Sequence, residues 1–483
     1  AEINAAAPDT PVFLLHLYDR ALLNGAALRA IGYTKDTPEP PGGLIERDKQ
    51  GNPTGLLVAK PNAYILYKTL ALGPKLDGAD QENSTRHFMR ELNRLGVTGV
   101  IDAGGGFQNY PDDYQVIDAL HKKGEMTVRV AYNLFTQKAG GELEDFRRWV
   151  QTAKPGDGSD FYRLNGAGEM LTFSAADFED FLEPRPELAA TLETELHAVV
   201  SLLAANRWPF RLHATYDESI SRFLDVFESV DRAVPFNGLH WFFDHAETVS
   251  PRNLDRIAAL GGGIAIQHRM AYQGEYFVNR YGAQKAEQTP PVAEMLRRGL
   301  PVSAGTDATR VASYNPWMCL YWLVTGKTVG GLSLYPQENR LDREQALRLY
   351  TQAGGWFSNE DGIRGTLKVG QLADLVALTD DFFTVPDERI KAIETVLTIV
   401  GGKIVYAAGP FDSLAPPPLP VSPDWSPVGV YGGYHRASSA TPAARSAASA
   451  SAQMHALMHR FFGPRQSNSE PLWGEDGCAC WAF

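Results

Sequence analysis

Helix and strand patterns alternate most clearly in FRLHATYDESISRFLDVFESV (residues 210–230) and GLHWFFDHAETVSPRNLDRIAALGGGIAIQ (residues 238–267). Each stretch opens with a short apolar run typical of a buried strand and continues with residues spaced as on an amphipathic helix. The second stretch ends in another apolar run, at 263–267. Because strands that alternate with helices form parallel βαβ units, these residues predict an α/β fold with a parallel sheet.

The same alternation continues in both directions along the chain. We predict strands near residues 97, 128, 162, 210, 239, 263 and 301. A closed (β/α)₈ barrel of the TIM type needs eight strands. We therefore expect such a barrel, with its first strand missing from this chain.

Composition changes after the last predicted barrel strand. We assign residues 1–355 to the barrel, with an insertion at 1–85, and residues 356–410 to a small β-sandwich-type domain. Within that domain a hairpin is predicted across Gly401-Gly402. Residues 411–483 are rich in Pro, Ala and Ser and predict an extended C-terminal tail.

The charge balance and the apolar pattern exclude several classes of function. The 483 residues carry a net charge of −12, from 45 basic and 57 acidic side chains, which argues against a nucleic-acid partner. No apolar run is long enough to cross a membrane. Three cysteines imply no disulfide framework, which favours a reducing, cytoplasmic location. We expect a small-molecule substrate and a homo-oligomer.

Three of the predicted strands end in residues that can bind a metal ion. The strand at 210 ends in His213, the strand at 239 in His245, and the strand at 301 runs into Asp307. In a parallel barrel these ends lie on one rim, where function is located. Imidazole and carboxylate donors suit a divalent ion, preferably zinc. Such an ion activates water near neutral pH, and an adjacent carboxylate can move the proton.

Several segments together resemble the amidohydrolase superfamily, and specifically amidohydrolase family 3, whose members include proteins like N-substituted formamide deformylase. The segments that carry the resemblance are Leu212-His213-Ala214-Thr215-Tyr216-Asp217, Phe243-Asp244-His245-Ala246-Glu247, Ala304-Gly305-Thr306-Asp307-Ala308, Gly370-Gln371-Leu372-Ala373-Asp374-Leu375 and the N-terminal Pro41-Gly42-Gly43, Arg47-Asp48 and Pro53-Thr54-Gly55. They extend over roughly residues 10–410.

The resemblance implies hydrolysis of a C–N bond in an amide or cyclic amide. His213 and His245 would bind the metal, and Asp307 would be both a ligand and the proton shuttle. His245 and Asp307 are thus the predicted catalytic residues. His268 and Arg269, which follow the seventh strand, would position the substrate. For Arg269, a surface ion pair is the alternative interpretation.

Two features depart from the family pattern. The family's first barrel strand carries an H-x-H pair of metal ligands, which this chain lacks. We expect it upstream of residue 1, or on a separate N-terminal segment that completes the barrel. Where some relatives carry a bridging lysine, this chain has Arg163, which cannot bind a metal. This departure favours a site with one ion. Glu169 could replace the bridging lysine and support a second ion, or it could be a solvated or core-capping side chain, so one or two ions are predicted.

Other interpretations of these residues stay open. Aromatic residues that include Tyr272 and Trp317 predict either an apolar substrate pocket or packing of the insertion at 269–300. The same scaffold could support a metal-assisted decarboxylase or isomerase. A chain without its first metal-binding strand could also be a non-catalytic remnant. Cys478-Ala479-Cys480 indicates tail packing or an oligomer contact.

Overall fold

The computed structural model describes residues 2–422, except 17–18, 41–42, 60–63, 105–108, 137, 178–180, 182–184, 186 and 309–310. Most of the predicted C-terminal tail, with Cys478 and Cys480, lies outside the described residues. The chain forms two compact units. One contains the residues up to Asp77 together with Asp307–Ala312, and the other contains Gly78–Thr306 and the chain from Ser313 onward. The domain boundaries at 355 and 410 stay a prediction.

The first unit is built around a four-stranded antiparallel sheet in the order β1-β2-β4-β3. Its elements are α1 (Glu2–Ala6), β1 (Phe13–His16), β2 (Arg20–Leu23), α2 (Gly25–Ile31), β3 (Gly43–Arg47), β4 (Pro53–Ala59) and α3 (Tyr64–Ala71). Alternate residues of β2 are buried, as expected of a sheet with one solvated face. Ala21 and Leu23 on its buried face pack with Ile45, Leu57 and Ile65 to form a small core.

The second unit contains a parallel sheet of seven strands among its described residues. The strands are β5 (Gly99–Asp102), β6 (Arg129–Leu134), β7 (Tyr162–Ala167), β8 (Phe210–Ala214), β9 (Trp241–His245), β10 (Gly263–Gln267) and β11 (Val302–Gly305). They pair in chain order from β5 to β11. All seven predicted strands are thus confirmed, and they form the half-barrel of a mixed α/β fold. A closed barrel with an eighth strand stays a prediction.

Helices alternate with the strands of this sheet and cover its apolar residues. They are α4 (Gly78–Arg94), α5 (Gln115–Lys122), α6 (Glu142–Thr152), α7 (Leu192–Ala205), α8 (Asp217–Ala233), α9 (Pro251–Ala259), α10 (Arg269–Tyr281), α11 (Ala283–Ala286), α12 (Val292–Arg297), α13 (Pro316–Thr325), α14 (Arg343–Tyr350) and α15 (Gly354–Phe357). Helix α8 buries Phe223 and Phe227 on one face, against Phe243 of β9. Among the described residues, no helix is both long and apolar enough to span a bilayer.

A small antiparallel sheet of three strands follows the parallel sheet in the chain. It consists of β12 (Leu375–Leu378), β13 (Thr395–Val400) and β14 (Lys403–Ala407). The predicted hairpin across Gly401-Gly402 is confirmed, and both glycines have positive φ angles, 58° and 77°. A β-sandwich stays a prediction, because the described part of this segment forms one sheet only.

The segment Gly370-Gln371-Leu372-Ala373-Asp374-Leu375, one of those that carry the resemblance, is mostly a turn rather than a strand. Gly370 has a left-handed φ of 92°, and the side chain of Gln371 accepts hydrogen bonds from the backbone and hydroxyl of Thr366. The chain therefore turns here, and β12 begins only at Leu375. Asp374, at the end of this turn, accepts two hydrogen bonds from Arg129 of β6, at 2.8 and 2.9 Å. That buried ion pair joins the turn to the parallel sheet.

Helix α14 begins with a capping box that offers a local test of stability. The Asp342 carboxylate accepts a hydrogen bond from the backbone of Gln345 at 2.7 Å, and the Gln345 side chain accepts one from the backbone of Asp342 at 3.2 Å. We expect Asp342→Ala to lower the free energy of unfolding by about 1 kcal/mol, measured by urea denaturation. Asp342→Asn keeps an acceptor oxygen, so its free energy of unfolding should fall far less. An equal loss of stability in both variants would contradict the capping role of Asp342.

Candidate metal centre

Three potential metal ligands meet at the carboxyl ends of neighbouring parallel strands. Glu169 follows β7 by two residues, His213 lies in β8, and His245 is the last residue of β9. One donor atom from each lies within 4.8 Å of the other two. Because β7, β8 and β9 are adjacent and parallel, their register places these residues at one edge of the sheet.

The two imidazole rings and the carboxylate face one another. The ring centroids of His213 and His245 are 4.2 Å apart. Nδ1 of His213 lies 3.6 Å from Oε1 of Glu169. The backbone N–H of His213 donates a hydrogen bond to the carbonyl of Glu169 at 2.8 Å, which fixes the two residues relative to each other. Nδ1 is therefore the nitrogen of His213 that faces the carboxylate.

Burial shifts the protonation of these groups. It lowers the pKa of His245 well below its usual value, and His213 and Arg269 nearby lower it further. A neutral imidazole keeps the lone pair that a metal ion requires. Burial raises the pKa of Glu169, while Arg211 and Arg269 act in the opposite direction. A cation bound between these groups would favour the ionised carboxylate.

Unusual backbone geometry accompanies the strand ends. His245 and Ala246 have positive φ angles of 75° and 51°, in the left-handed region that non-glycine residues seldom adopt. Such conformations cost free energy and concentrate at functional sites. The turn directs the chain after β9 so that Glu247 is also buried, with its Oε1 atom 4.0 Å from Nδ1 of His245.

Asp307, the predicted fourth ligand and proton shuttle, lies two residues beyond the end of β11. Strand β11 pairs in parallel with β10 at the edge of the seven-stranded sheet. The backbone of Asp307 has a φ of 50°, so it shares the left-handed conformation seen at His245. Its roles as ligand and shuttle stay predictions.

The predicted substrate residues after β10 are placed around the start of helix α10. His268 is fully buried, its pKa is lowered to about 4 by that burial, and its ring lies 5.4 Å from that of Tyr272. Nε of Arg269 lies 3.6 Å from Oε1 of Glu247. Arg269 is therefore engaged by a carboxylate that also approaches His245, and its role in positioning the substrate stays a prediction.

Trp317 has a different environment from the other predicted substrate residues. It lies in α13 and is 4% exposed, and its indole N–H donates a hydrogen bond to the carbonyl of Leu95 at 3.0 Å. Its ring packs against Phe382. Trp317 therefore belongs to the buried core of the second unit, and a role in substrate binding stays a prediction.

Two buried features beside the cluster were missed at the level of sequence. Asp177 is fully buried, and its Oδ1 atom lies 3.4 Å from Nε2 of His213. Arg211 and Asp244 form a buried ion pair one layer below the histidines, with Arg211 Nε donating to Asp244 Oδ2 at 2.6 Å. Burial raises the pKa of Asp244 to about 6, against the opposing effect of Arg211.

A cavity of about 500 Å³ lies away from the cluster. Pro301 and Val302, at the amino end of β11, line it together with Leu349 and Trp356. The three ligand candidates lie at the carboxyl ends of their strands instead, so this cavity belongs to the opposite edge of the sheet.

The sequence profile of the amidohydrolase family matches residues 1–406 of this chain. The chain belongs to the amidohydrolase family. Membership places it among hydrolytic enzymes, and the family resemblance carried by the segments around His213, His245 and Asp307 is confirmed.

Two relatives are similar in sequence to this amidohydrolase over most of its length. N-substituted formamide deformylase of Arthrobacter pascens is 24% identical over 420 residues, which cover 84% of this chain and 75% of the relative. YtcJ of Bacillus subtilis (strain 168), whose amidohydrolase name is itself inferred, is 24% identical over 414 residues, which cover 83% of this chain and 74% of that protein.

The fold of the amidohydrolase is also found in a crystal structure. A metal-dependent hydrolase from Pyrococcus horikoshii OT3, described as uncharacterized, superposes with a TM-score of 0.59 at 18% identity. The match covers 79% of this chain and 74% of that protein. At this identity the likeness establishes the fold alone.

The donor set of this amidohydrolase fits a divalent metal ion. Two imidazoles and one carboxylate form the same ligand set as one well-known class of catalytic zinc site, which leaves a further coordination position for water or substrate. The three donors are close enough together for one ion, and the two histidines are shielded from solvent. Arg163, by contrast, donates to the carbonyl of Ser358 and lies 3.7 Å from Glu360. The cluster therefore contains no group from Arg163.

Proposed function

We propose that this amidohydrolase cleaves the C–N bond of an amide or cyclic amide with a metal-activated water. The convergence of Glu169, His213 and His245 at one edge of the sheet carries this proposal. The relative named N-substituted formamide deformylase supports an amide as the substrate class. Zinc is the preferred ion because imidazole and carboxylate donors suit it, and His213, His245 and Glu169 would hold one or two ions.

In this mechanism the chain's own residues bind the ion, position the amide and move protons. A divalent ion held by His213, His245 and Glu169 would act as a Lewis acid and lower the pKa of a water molecule. Asp307 accepts the proton of the attacking water and delivers it to the leaving nitrogen. The water oxygen bonds to the carbonyl carbon as the C–N bond breaks, which yields a carboxylate and an amine.

His268 and Arg269 are the candidates for holding the substrate carbonyl. Burial keeps His268 neutral near pH 7, so one ring N–H can donate a hydrogen bond to a carbonyl oxygen. Arg269 approaches Glu247, which aligns its guanidinium beside His245. Tyr272, whose ring lies beside His268, would add an apolar wall. A homo-oligomeric state, a cytoplasmic location and a separate N-terminal segment stay predictions.

The decisive experiment measures product formation by the zinc-reconstituted chain. N-substituted formamides and cyclic amides are offered at saturating concentration, and the released amine and carboxylate are quantified by mass spectrometry. We expect amine and acid in equal amounts, and loss of turnover after chelation. Asp307→Asn removes the proton acceptor at constant size, so it should retain zinc and lose turnover. The same substitution at the exposed residue Asp36, Asp36→Asn, is the matched control. It should leave zinc content and turnover unchanged.

Two other outcomes would contradict this proposal. Release of CO₂, or an isomer of unchanged mass, from a related substrate would indicate a decarboxylase or isomerase on the same scaffold. Failure to bind zinc at all would indicate a non-catalytic chain.

A further inference from the structure

Asp177 is a buried carboxylate that the proposed reaction does not use. It lies between β7 and α7, just after the short helix Phe173–Ala175, and is fully buried. Its Oδ2 atom accepts hydrogen bonds from the backbone N–H groups of Thr215 at 2.8 Å and Tyr216 at 3.1 Å. These two residues directly follow the strand that carries His213. One carboxylate oxygen therefore anchors Asp177 to the end of β8.

The second oxygen of Asp177 is directed at His213. Oδ1 lies 3.4 Å from Nε2 of that ring, on the side away from Glu169. Among the described residues, the hydroxyl of Thr215 also lies near this nitrogen, at 3.2 Å. In the described part of the chain, Nε2 thus faces oxygen atoms of Asp177 and Thr215, whereas Nδ1 faces the carboxylate of Glu169.

We propose that Asp177 is a positioning residue that sets the tautomer of His213. An acceptor at Nε2 holds the ring proton on that nitrogen, which leaves the lone pair of Nδ1 directed at the metal. The proposal rests on metal binding by His213, which is part of the proposed function, but it does not depend on which substrate is hydrolysed. Carboxylates that support a ligating histidine in this way commonly raise metal affinity 10- to 100-fold.

Asp177→Asn tests the proposal with little change in shape. The amide oxygen of asparagine can still accept the hydrogen bonds of Thr215 and Tyr216, so its NH₂ group faces Nε2. Two donors cannot hydrogen-bond to each other, so the ring proton is driven to Nδ1 and the metal loses that lone pair. We expect zinc affinity, measured by competition with a chromogenic chelator, to fall about 10- to 100-fold.

Thr215→Val is the matched control for the second acceptor. It removes the hydroxyl at Nε2 but keeps the backbone N–H that anchors Asp177. We expect zinc affinity to change less than threefold if Asp177 is the acceptor that decides the tautomer. A loss in Thr215→Val that equals the loss in Asp177→Asn would overturn the assignment to Asp177.

A measurement on the metal-free wild type keeps the proposal testable even if Asp177→Asn folds poorly. Selective ¹⁵N labelling of histidine, with His213→Gln for assignment, reports the ring tautomer by NMR. The Nε2–H tautomer at His213 is the expected result, and the Nδ1–H tautomer would overturn the proposal. If wild-type protein binds zinc and Asp177→Asn binds it equally well, the positioning role fails while the proposed function stands. If the wild type binds no zinc, both fail.

Discussion

Replacing His213 or His245 by alanine is expected to abolish metal binding and hydrolysis together. Each histidine provides one of the three donors that the structure brings within 4.8 Å of one another. Loss of one donor leaves two, fewer than the three protein ligands of a typical catalytic zinc site. We expect zinc affinity to fall by more than about 100-fold, beyond the effect of losing a residue that only orients a ligand. Elemental analysis after dialysis gives the stoichiometry.

His197→Ala is the matched control for this prediction. His197 lies on α7, is exposed and contacts the hydroxyl of Ser201 at 3.4 Å. The same substitution there should leave zinc content and turnover unchanged. If His213→Ala and His245→Ala retained one equivalent of zinc with wild-type affinity, the cluster would not be the metal centre, and the proposed mechanism would have to be abandoned.

The parallel sheet could be predicted from sequence because its central strands, such as β8 and β9, are buried on both faces. Such strands have continuous apolar runs, as in Trp241-Phe242-Phe243, and they end where polar residues begin. The elements of the N-terminal unit are harder to predict from sequence. Its strands β1 and β2 have four residues each, and α1 has only five, too few to establish a period.

The residues of the candidate site also differ in how far the sequence could predict them. His213 and His245 lie at strand ends, so the chain's regular alternation places them on one edge. Asp177 lies in irregular chain between two elements, where no period relates it to His213. Only the folded chain brings it within 3.4 Å of that ring. Arg211 did carry a signal, since a charge inside a buried strand requires a partner.

Arg211 and Asp244 form the ion pair whose disruption should most affect folding. Their side chains are 7% and 0% exposed, and Arg211 lies over the ring of Phe242 with its guanidinium carbon 5.0 Å from the centroid. Both Nε and Nη2 of Arg211 donate to the carboxylate, so the pair is bidentate. Burial alone would lower the pKa of Arg211, but Asp244 and Glu169 raise it above its usual value. The pair joins β8 to β9 below the metal cluster.

Arg211→Met is expected to lower the free energy of unfolding by about 3–5 kcal/mol, because it leaves the Asp244 carboxylate buried without its cation. Urea denaturation of metal-free protein measures this loss apart from any change in zinc binding. The double variant Arg211→Met/Asp244→Leu removes both charges and should recover most of the loss, since apolar side chains of similar volume often replace a buried pair without cost.

The partly exposed pair Arg222–Glu193 provides the control, with Nε of Arg222 donating to Oε1 of Glu193 at 2.7 Å. Arg222→Met should cost less than about 1 kcal/mol, as is usual for pairs open to solvent. A double variant as unstable as Arg211→Met would mean that packing, not the unpaired charge, accounts for the loss. A loss in Arg211→Met no greater than in Arg222→Met would contradict the structural role assigned to the pair.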